Sequence, residues 1–148
     1  MDPARLKFAD ILVVENDEND VLILKHALKK VAVQNAVHFV ADGEQAVDYL
    51  KGVMEYQDRR KFPYPTLILT DLKMPRGSGF DLLEWLKKNP VYRVVPTLVM
   101  SSSDEPRDVK QAYYLGAAGY FKKPNAPEDM EATLRLILDY WSRAELPL

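Results

Sequence analysis

The sequence predicts an α/β fold in which one parallel β-sheet carries helices on both faces. Short apolar runs typical of buried strands alternate with segments whose apolar residues recur at helical spacing, and this alternation occurs five times. Parallel strands are joined by right-handed crossover connections, so a chain of five such units forms a doubly wound sheet.

The first two units occupy the N-terminal third of the chain. Residues 11–14 form an apolar run suited to a buried strand, and apolar side chains at helical spacing predict a first helix over roughly 18–32. A short second strand is predicted near 36–40. Asp42-Gly43 then turns into a second helix. Over 54–64 the pattern has no clear period, which indicates a long loop.

The third unit begins with the run Thr66 to Asp71, which ends in a carboxylate and is followed by Pro75 and by glycines. A third helix follows and is predicted to end near Asn89-Pro90, because the residue before a proline disfavours helix. The fourth strand, 96–100, leads into three serines at 101–103.

The remaining elements complete the pattern. Asp104-Glu105-Pro106 predicts the start of a fourth helix, since proline is favourable in a first helical turn, and Gly116 is its expected C-cap. A fifth strand over 117–121 leads to Lys122-Lys123-Pro124. The last helix is predicted over roughly 127–144.

Composition and charge narrow the function classes. The 148 residues, 47% of them hydrophobic, fit one globular domain, expected to span 1–148 with a core from about 9 to 144. A net charge of −2 with scattered basic residues disfavours nucleic-acid binding. The absence of cysteine excludes disulfides and thiolate zinc sites. No signal sequence or apolar segment of membrane-spanning length is present, so we expect no membrane contact and a cytoplasmic location.

Polar residues follow four of the predicted strands: Glu15 with Asn16, Asp71, Ser101 and Lys123. The carboxyl ends of parallel strands meet at one edge of a sheet, where ligands bind. Clustered carboxylates repel one another unless a cation compensates, and Mg²⁺ combines with carboxylate and phosphate oxygens. We therefore expect Asp71 to accept a phosphoryl group, with Mg²⁺ and Lys123 neutralising its oxygens and Ser101 donating to the product.

These residues resemble the landmarks of the response-regulator receiver domain, in the order in which that family carries them. The resemblance covers nearly the whole chain. It implies the flavodoxin-like strand order 2-1-3-4-5, which the alternation of elements allows. The motifs that carry it are Glu15-Asn16 after Val13-Val14, Asp71 before Met74-Pro75 and Gly79, Ser101 after Pro96, and Lys123-Pro124 after Gly119-Tyr120.

The resemblance implies a magnesium site in which Asp71, the phospho-acceptor, is joined by Glu15, Asn16 and the backbone carbonyl of Lys73. Asn16 departs from the family's usual pattern, which has a second aspartate at this position. Loss of one charge weakens Mg²⁺ binding, although an amide oxygen still binds the ion and Asp17 is able to contribute through water. The sequence therefore predicts a functional receiver with weak metal binding.

The resemblance also implies how phosphorylation is sensed. Lys123 contacts the phosphoryl group, Ser101 is the hydroxyl that responds to it, and Tyr120 is the aromatic switch that turns inward on activation. The Lys123-Pro124 peptide bond is implied to be cis, a form that only about one in twenty such bonds adopts.

The last helix suggests partners. Leu136 and Tyr140 widen its apolar arc beyond what one core face requires, so we expect either an interface or a contact with the chain's own tail. The long loop before the third strand and the tail resemble stand-alone regulators paired with phytochrome histidine kinases. That resemblance implies a homodimer through the fourth helix, fifth strand and fifth helix. The chain ends soon after the fifth helix, so output through protein contacts is expected.

Two other functions stay open at this stage. A pseudoreceiver, a pure interaction module, would retain the fold and make no use of Asp71. An aspartate-nucleophile phosphohydrolase also places an acid at a strand end, but it commonly has a second acid two residues later, where this chain has Lys73. Taken alone, Asp71 is more typical of a turn or a helix cap. Its combination with the polar residues at the other strand ends favours a phospho-acceptor.

Overall fold

Five parallel strands form one sheet in the order β2-β1-β3-β4-β5, which confirms the predicted fold class and strand order. The computed structural model describes residues 10–31 and 37–147. The strands are β1 (Ile11–Val14), β2 (Val37–Val40), β3 (Leu67–Thr70), β4 (Thr97–Ser101) and β5 (Gly119–Lys122). The helices are α1 (Glu18–Lys30), α2 (Gly43–Lys51), α3 (Gly79–Lys88), α4 (Pro106–Tyr114) and α5 (Pro127–Arg143).

The two faces of the sheet are covered by different helices, as a doubly wound fold requires. Alternate residues of a strand point to opposite faces, so Ile11 and Val13 pack with α1 and α5, whereas Leu12 and Val14 pack with α2 and α3. A third cluster around Val99 joins α3 and α4. All four residues of β1 are buried, which explains why its sequence has no polar alternation.

Side chains fix the starts of three helices. Asp17, Asp42 and Ser78 each accept a hydrogen bond from a backbone N–H in the first turn of α1, α2 and α3, respectively. The carboxylate of Asp81 accepts a hydrogen bond from the backbone N–H of Ser78, which completes a capping box. These caps set the points at which the chain leaves the strand ends and turns into helix.

The unpatterned stretch after α2 is ordered by tertiary contacts. Its one regular element is a 3₁₀ turn, Met54–Tyr56. The guanidinium of Arg59 donates to the backbone carbonyl of Leu50 at 2.8 Å and lies 5.4 Å from the ring centre of Tyr64. The hydroxyl of Tyr49 donates to Pro63 at 2.8 Å, and burial raises the pKa of Tyr49 to about 12. The loop therefore depends on contacts that have no sequence period.

Several predicted boundaries differ from the observed ones. Three predicted boundaries lie outside the described residues: the end of the first helix at 32, the start of the second strand at 36 and the start of the core at about 9. An unpredicted helical turn, Pro90–Arg93, follows α3 because proline suits the first position of a helix. Leu115 is the C-cap of α4, and Gly116 adopts a φ of 106° immediately after it.

The prediction of a cis bond before Pro124 was wrong. Among the described residues no peptide bond is cis, so Lys123 and Pro124 are joined in the trans form that most such bonds take. In the described part of the chain, no helix combines the length and apolar character that crossing a membrane requires.

Gly79 allows the start of α3 to contact the end of β3. A Cβ at this position would lie 2.1 Å from the backbone oxygen of Asp71, far inside van der Waals contact, and the N–H of Gly79 donates to Leu72 at 3.0 Å. The fold therefore holds α3 against the strand end through a residue that has no side chain.

We expect Gly79→Ala to lower the free energy of unfolding by about 1–3 kcal/mol, because the backbone must shift to admit the methyl group. Alanine has the better helix propensity, by at most about 1 kcal/mol, so the clash decides the sign. Urea unfolding followed by circular dichroism measures the change. A variant as stable as the wild type or more stable would contradict the close approach of the two backbones.

Candidate functional site

The register of the sheet brings the predicted site residues to one edge. Val14 of β1 is paired with Thr70 of β3, so Glu15 and Asp71 are the next residues on adjacent strands. The N–H of Asp71 donates to Val14 at 3.0 Å, which continues the ladder of hydrogen bonds beyond the strand. The N–H of Lys123 donates in the same way to the carbonyl of Ser101, at 2.7 Å.

The ammonium group of Lys123 donates to three carboxylates. Its Nζ atom lies 2.5 Å from Oε1 of Glu15, 2.7 Å from Oδ2 of Asp20 and 2.8 Å from Oδ2 of Asp71. The side chains of Glu15 and Lys123 are only 2% and 11% exposed, whereas that of Asp20 is 32% exposed. The cluster is therefore closed on the side of Glu15 and open toward solvent on the side of Asp20.

Burial and charge shift the pKa values of the two most enclosed groups. Burial raises the pKa of Glu15 to about 7, and the neighbouring charges of Asp71 and Asp20 act in the same direction against the attraction of Lys123. Burial alone would lower the pKa of Lys123, but its hydrogen bonds to the three carboxylates outweigh burial and raise this pKa above its usual value. Lys123 therefore keeps its charge, and Glu15 ionises more readily when further positive charge arrives.

Both carboxylate oxygens of Asp71 are held. Oδ1 accepts the backbone N–H of Leu72 at 2.7 Å, while Oδ2 accepts from Lys123. Two hydrogen bonds to different elements fix the rotation of the carboxyl group. Asp71 thus presents a defined face at the open edge of the sheet.

The hydroxyl of Ser101 connects the site to the loop before α4. Ser101 is buried, and its Oγ accepts the backbone N–H of Ser103 at 3.1 Å. The carbonyl of Ser103 accepts the hydroxyl of Tyr120 at 2.7 Å, and its Oγ donates to Asp108 of α4 at 2.6 Å. Ser103 therefore joins Ser101, Tyr120 and the first turn of α4, a connection that sequence patterns did not indicate.

The other residues assigned by resemblance lie around this cluster. Asn16 is exposed, and its backbone N–H donates to Oε2 of Glu15 at 2.9 Å. The carboxylate of Asp17 caps α1 by accepting the N–H of Asp20 at 3.0 Å. Lys73 is exposed, two residues beyond Asp71 in the loop before α3. The metal-binding roles of Asn16 and of the Lys73 carbonyl stay predictions.

Asp20 is the site residue that sequence reasoning missed. In the sequence it is one of five consecutive polar residues, 16–20, at the start of the first helix. The available indication was its place in the first turn of a helix that leaves the same edge as Glu15, because such a turn lies above the strand ends.

The donor set fits a hard divalent cation. Glu15, Asp20 and Asp71 each offer a carboxylate oxygen, and these three oxygens lie within 4.8 Å of one another. Mg²⁺ and Mn²⁺ favour oxygen ligands of this kind. The excess of carboxylates over ammonium groups leaves negative charge for such an ion to neutralise.

Comparison with known proteins agrees with this geometry. Residues 11–135 match the response regulator receiver domain. The response regulator Rcp1 of Synechocystis sp. is 29% identical over 131 residues, which cover 88% of this chain and 87% of Rcp1. A probable methanogenesis regulatory protein, FilR2 of Methanothrix harundinacea, is 28% identical over 131 residues, which cover 88% of this chain and 82% of FilR2.

Solved structures show the same similarity. The response regulator RPA3017 in red light signaling of R. palustris has a TM-score of 0.90 and 31% identity, with 95% of this chain and 99% of that chain covered. The phosphorylated cyanobacterial phytochrome response regulator RcpA has a TM-score of 0.86 and 29% identity, with the same coverage. The predicted resemblance to phytochrome regulators is confirmed, and the chain belongs to the family of response regulator receiver domains, which act in two-component signalling and are not classical enzymes.

Proposed function

We propose that Asp71 accepts a phosphoryl group from a histidine kinase and that the protein then signals through altered protein contacts. The observation that carries this proposal is the fixed Asp71 carboxylate, whose Oδ2 lies 2.8 Å from the ammonium group of Lys123 at the open edge of the sheet. The family match over residues 11–135 supports a single receiver domain over this part of the chain.

In the proposed transfer, an Asp71 oxygen attacks the phosphorus atom of a phosphohistidine. The new O–P bond forms as the P–N bond breaks, and the histidine nitrogen leaves with the electron pair. Lys123 neutralises charge on the phosphoryl oxygens, since its ammonium group already lies beside the acceptor. The one enzymatic activity that we propose is hydrolysis of the resulting acyl phosphate by the protein itself.

We further propose a Mg²⁺ site beside Asp71, where a bound ion would supply positive charge that offsets the negative charge of the phosphoryl oxygens. Glu15 and Asp71 would hold the ion, together with the side chain of Asn16 and the carbonyl of Lys73. A crystal structure of Rcp1, 28% identical to this chain, is of its Mn²⁺-bound form. Because the ligand at position 16 is uncharged, we expect the site to bind Mg²⁺ with lower affinity than a site with aspartate at this position.

The readout that we propose runs through Ser103. An accepting hydroxyl still has a proton to donate, so Ser101 is able to bond a phosphoryl oxygen while it accepts from the Ser103 N–H. Any movement of Ser101 then reaches Tyr120 and Asp108, which both bond Ser103. The surface formed by α4, β5 and α5 would change with the state of Asp71.

Partners are proposed from the family and from exposed apolar residues. Two solved structures similar to this chain are bacteriophytochrome response regulators. We propose that the phosphoryl donor is a cytoplasmic histidine kinase, and that a phytochrome is a candidate for it. Leu136 and Tyr140 of α5 are 71% and 65% exposed and border a groove of about 510 Å³ next to β5. We propose that a second copy of the chain covers this groove.

Incubation with acetyl phosphate and Mg²⁺ is expected to add one phosphoryl group, seen by intact mass, and Asp71→Asn is expected to abolish the adduct. Asp129→Asn, an exposed change of the same kind in α5, is the matched control and should retain it. An adduct that survives Asp71→Asn would refute the assignment. If the wild type forms no adduct at any Mg²⁺ concentration, the result would favour a pseudoreceiver. Continuous turnover of substrate would instead favour a phosphohydrolase.

We expect Asn16→Asp to bind Mg²⁺ more tightly, by about tenfold, because it adds a charged oxygen ligand to the site. Titration calorimetry of the unphosphorylated proteins measures the two dissociation constants. Equal affinities would show that position 16 does not contribute to the cation site.

The proposed dimer predicts that Leu136→Arg yields monomers. A charge placed in an apolar contact is left without water, which disfavours association. Light scattering at high protein concentration compares the variant with the wild type. Leu22→Arg, which changes a leucine 64% exposed on α1, is the matched control and should stay dimeric. A monomeric mass for the wild type would contradict the dimer.

A further inference from the structure

We infer that Asp20 provides the second aspartate of the cation site, in place of the charge that Asn16 lacks. The inference rests on the proposed function, because it concerns the same Mg²⁺. It changes which residue governs metal affinity, because the first turn of α1 contributes the carboxylate that position 16 lacks.

The position of the Asp20 carboxylate supports this role. Oδ2 of Asp20 lies 2.7 Å from Nζ of Lys123, the same atom that Glu15 and Asp71 contact. Its carboxylate oxygen also lies within 4.8 Å of an oxygen from each of those two acids. The backbone N–H of Asp20 is held by the cap at Asp17, so the residue leaves the helix start in a fixed direction. Asp20 therefore belongs to the cluster geometrically, although five positions separate it from Glu15.

The other polar residues between Glu15 and Asp20 are less suited to the role. Asn16 and Asn19 have no charge and are exposed. The Oδ1 atom of Asp17 is bound to the start of α1. Glu18 is exposed in the first turn of that helix. Of the acids in this segment, Glu15 and Asp20 are the two whose carboxylates contact Lys123.

The net charge of the cluster also supports a role for Asp20. When all three carboxylates are ionised, as added positive charge favours for Glu15, they and the one ammonium group leave two negative charges in the cluster, which a divalent cation neutralises. With Asn in place of Asp20, only one negative charge remains, and carboxylate number is a main determinant of affinity for hard cations. The side chain of Asp20 is 32% exposed, so it faces the side from which an ion and a phosphoryl group arrive.

The test measures Mg²⁺ binding to unphosphorylated protein by titration calorimetry, for the wild type, Asp20→Asn and Glu18→Gln. We expect Asp20→Asn to weaken binding about tenfold or more. Glu18→Gln, the control, removes a charge from an exposed position of the same segment, so it should change the affinity by less than about threefold. The double variant Asn16→Asp with Asp20→Asn moves the charge from one position to the other and should return the affinity to near the wild-type value.

Equal effects of Asp20→Asn and Glu18→Gln would overturn the inference, as would failure of the double variant to recover affinity. Thermal unfolding without metal identifies a variant that has lost its fold; if Asp20→Asn is such a variant, Asp20→Ser, which also removes the charge and keeps a polar side chain, takes its place in both comparisons. The proposed function fails separately: it is refuted if the wild type forms no adduct at Asp71 with acetyl phosphate, whichever residue binds the ion.

Discussion

The site depends on the hydrogen bonds that the ammonium group of Lys123 donates to three carboxylates. They belong to Glu15, Asp20 and Asp71, which come from two separate parts of the chain. Acids this close repel one another, and in a partly buried place the repulsion is poorly screened by water. One cation compensates them only in part. The cluster is thereby preformed and still negative, which suits a site that binds a divalent ion and then a phosphoryl group.

The rest of the fold serves this contact by placing its members. Paired β1 and β3 put Glu15 and Asp71 on adjacent strands at the same level. Gly79 lets α3 begin against the Asp71 backbone without a side chain between them. On the other side, Ser101 ends β4 beneath a loop whose Ser103 also bonds Tyr120. Hydrogen bonds from Ser101 through Ser103 to Asp108 therefore connect the strand edge to α4, and the groove beside β5 is lined by Tyr120, which also bonds Ser103.

Much of this arrangement was predictable because it follows from local rules. An apolar run that ends in a polar residue fixes both a buried strand and a side chain at its carboxyl end, and this logic located Glu15, Asp71, Ser101 and Lys123. The loop over 54–64 was not predictable in the same way. Arg59 is held by the carbonyl of Leu50 and by tyrosine rings, and such contacts leave no period in the sequence.

The sequence by itself determined the five alternating units, the order of the strand-end residues and the family. The tertiary structure alone decided which acids share Lys123, that Ser103 links three elements, and that the bond before Pro124 is trans. The reason is physical: strand ends share an edge whatever the details, whereas the direction of the first turn of α1 depends on its cap and packing. Only that direction shows that the carboxylate of Asp20 reaches the ammonium group of Lys123 beside Asp71.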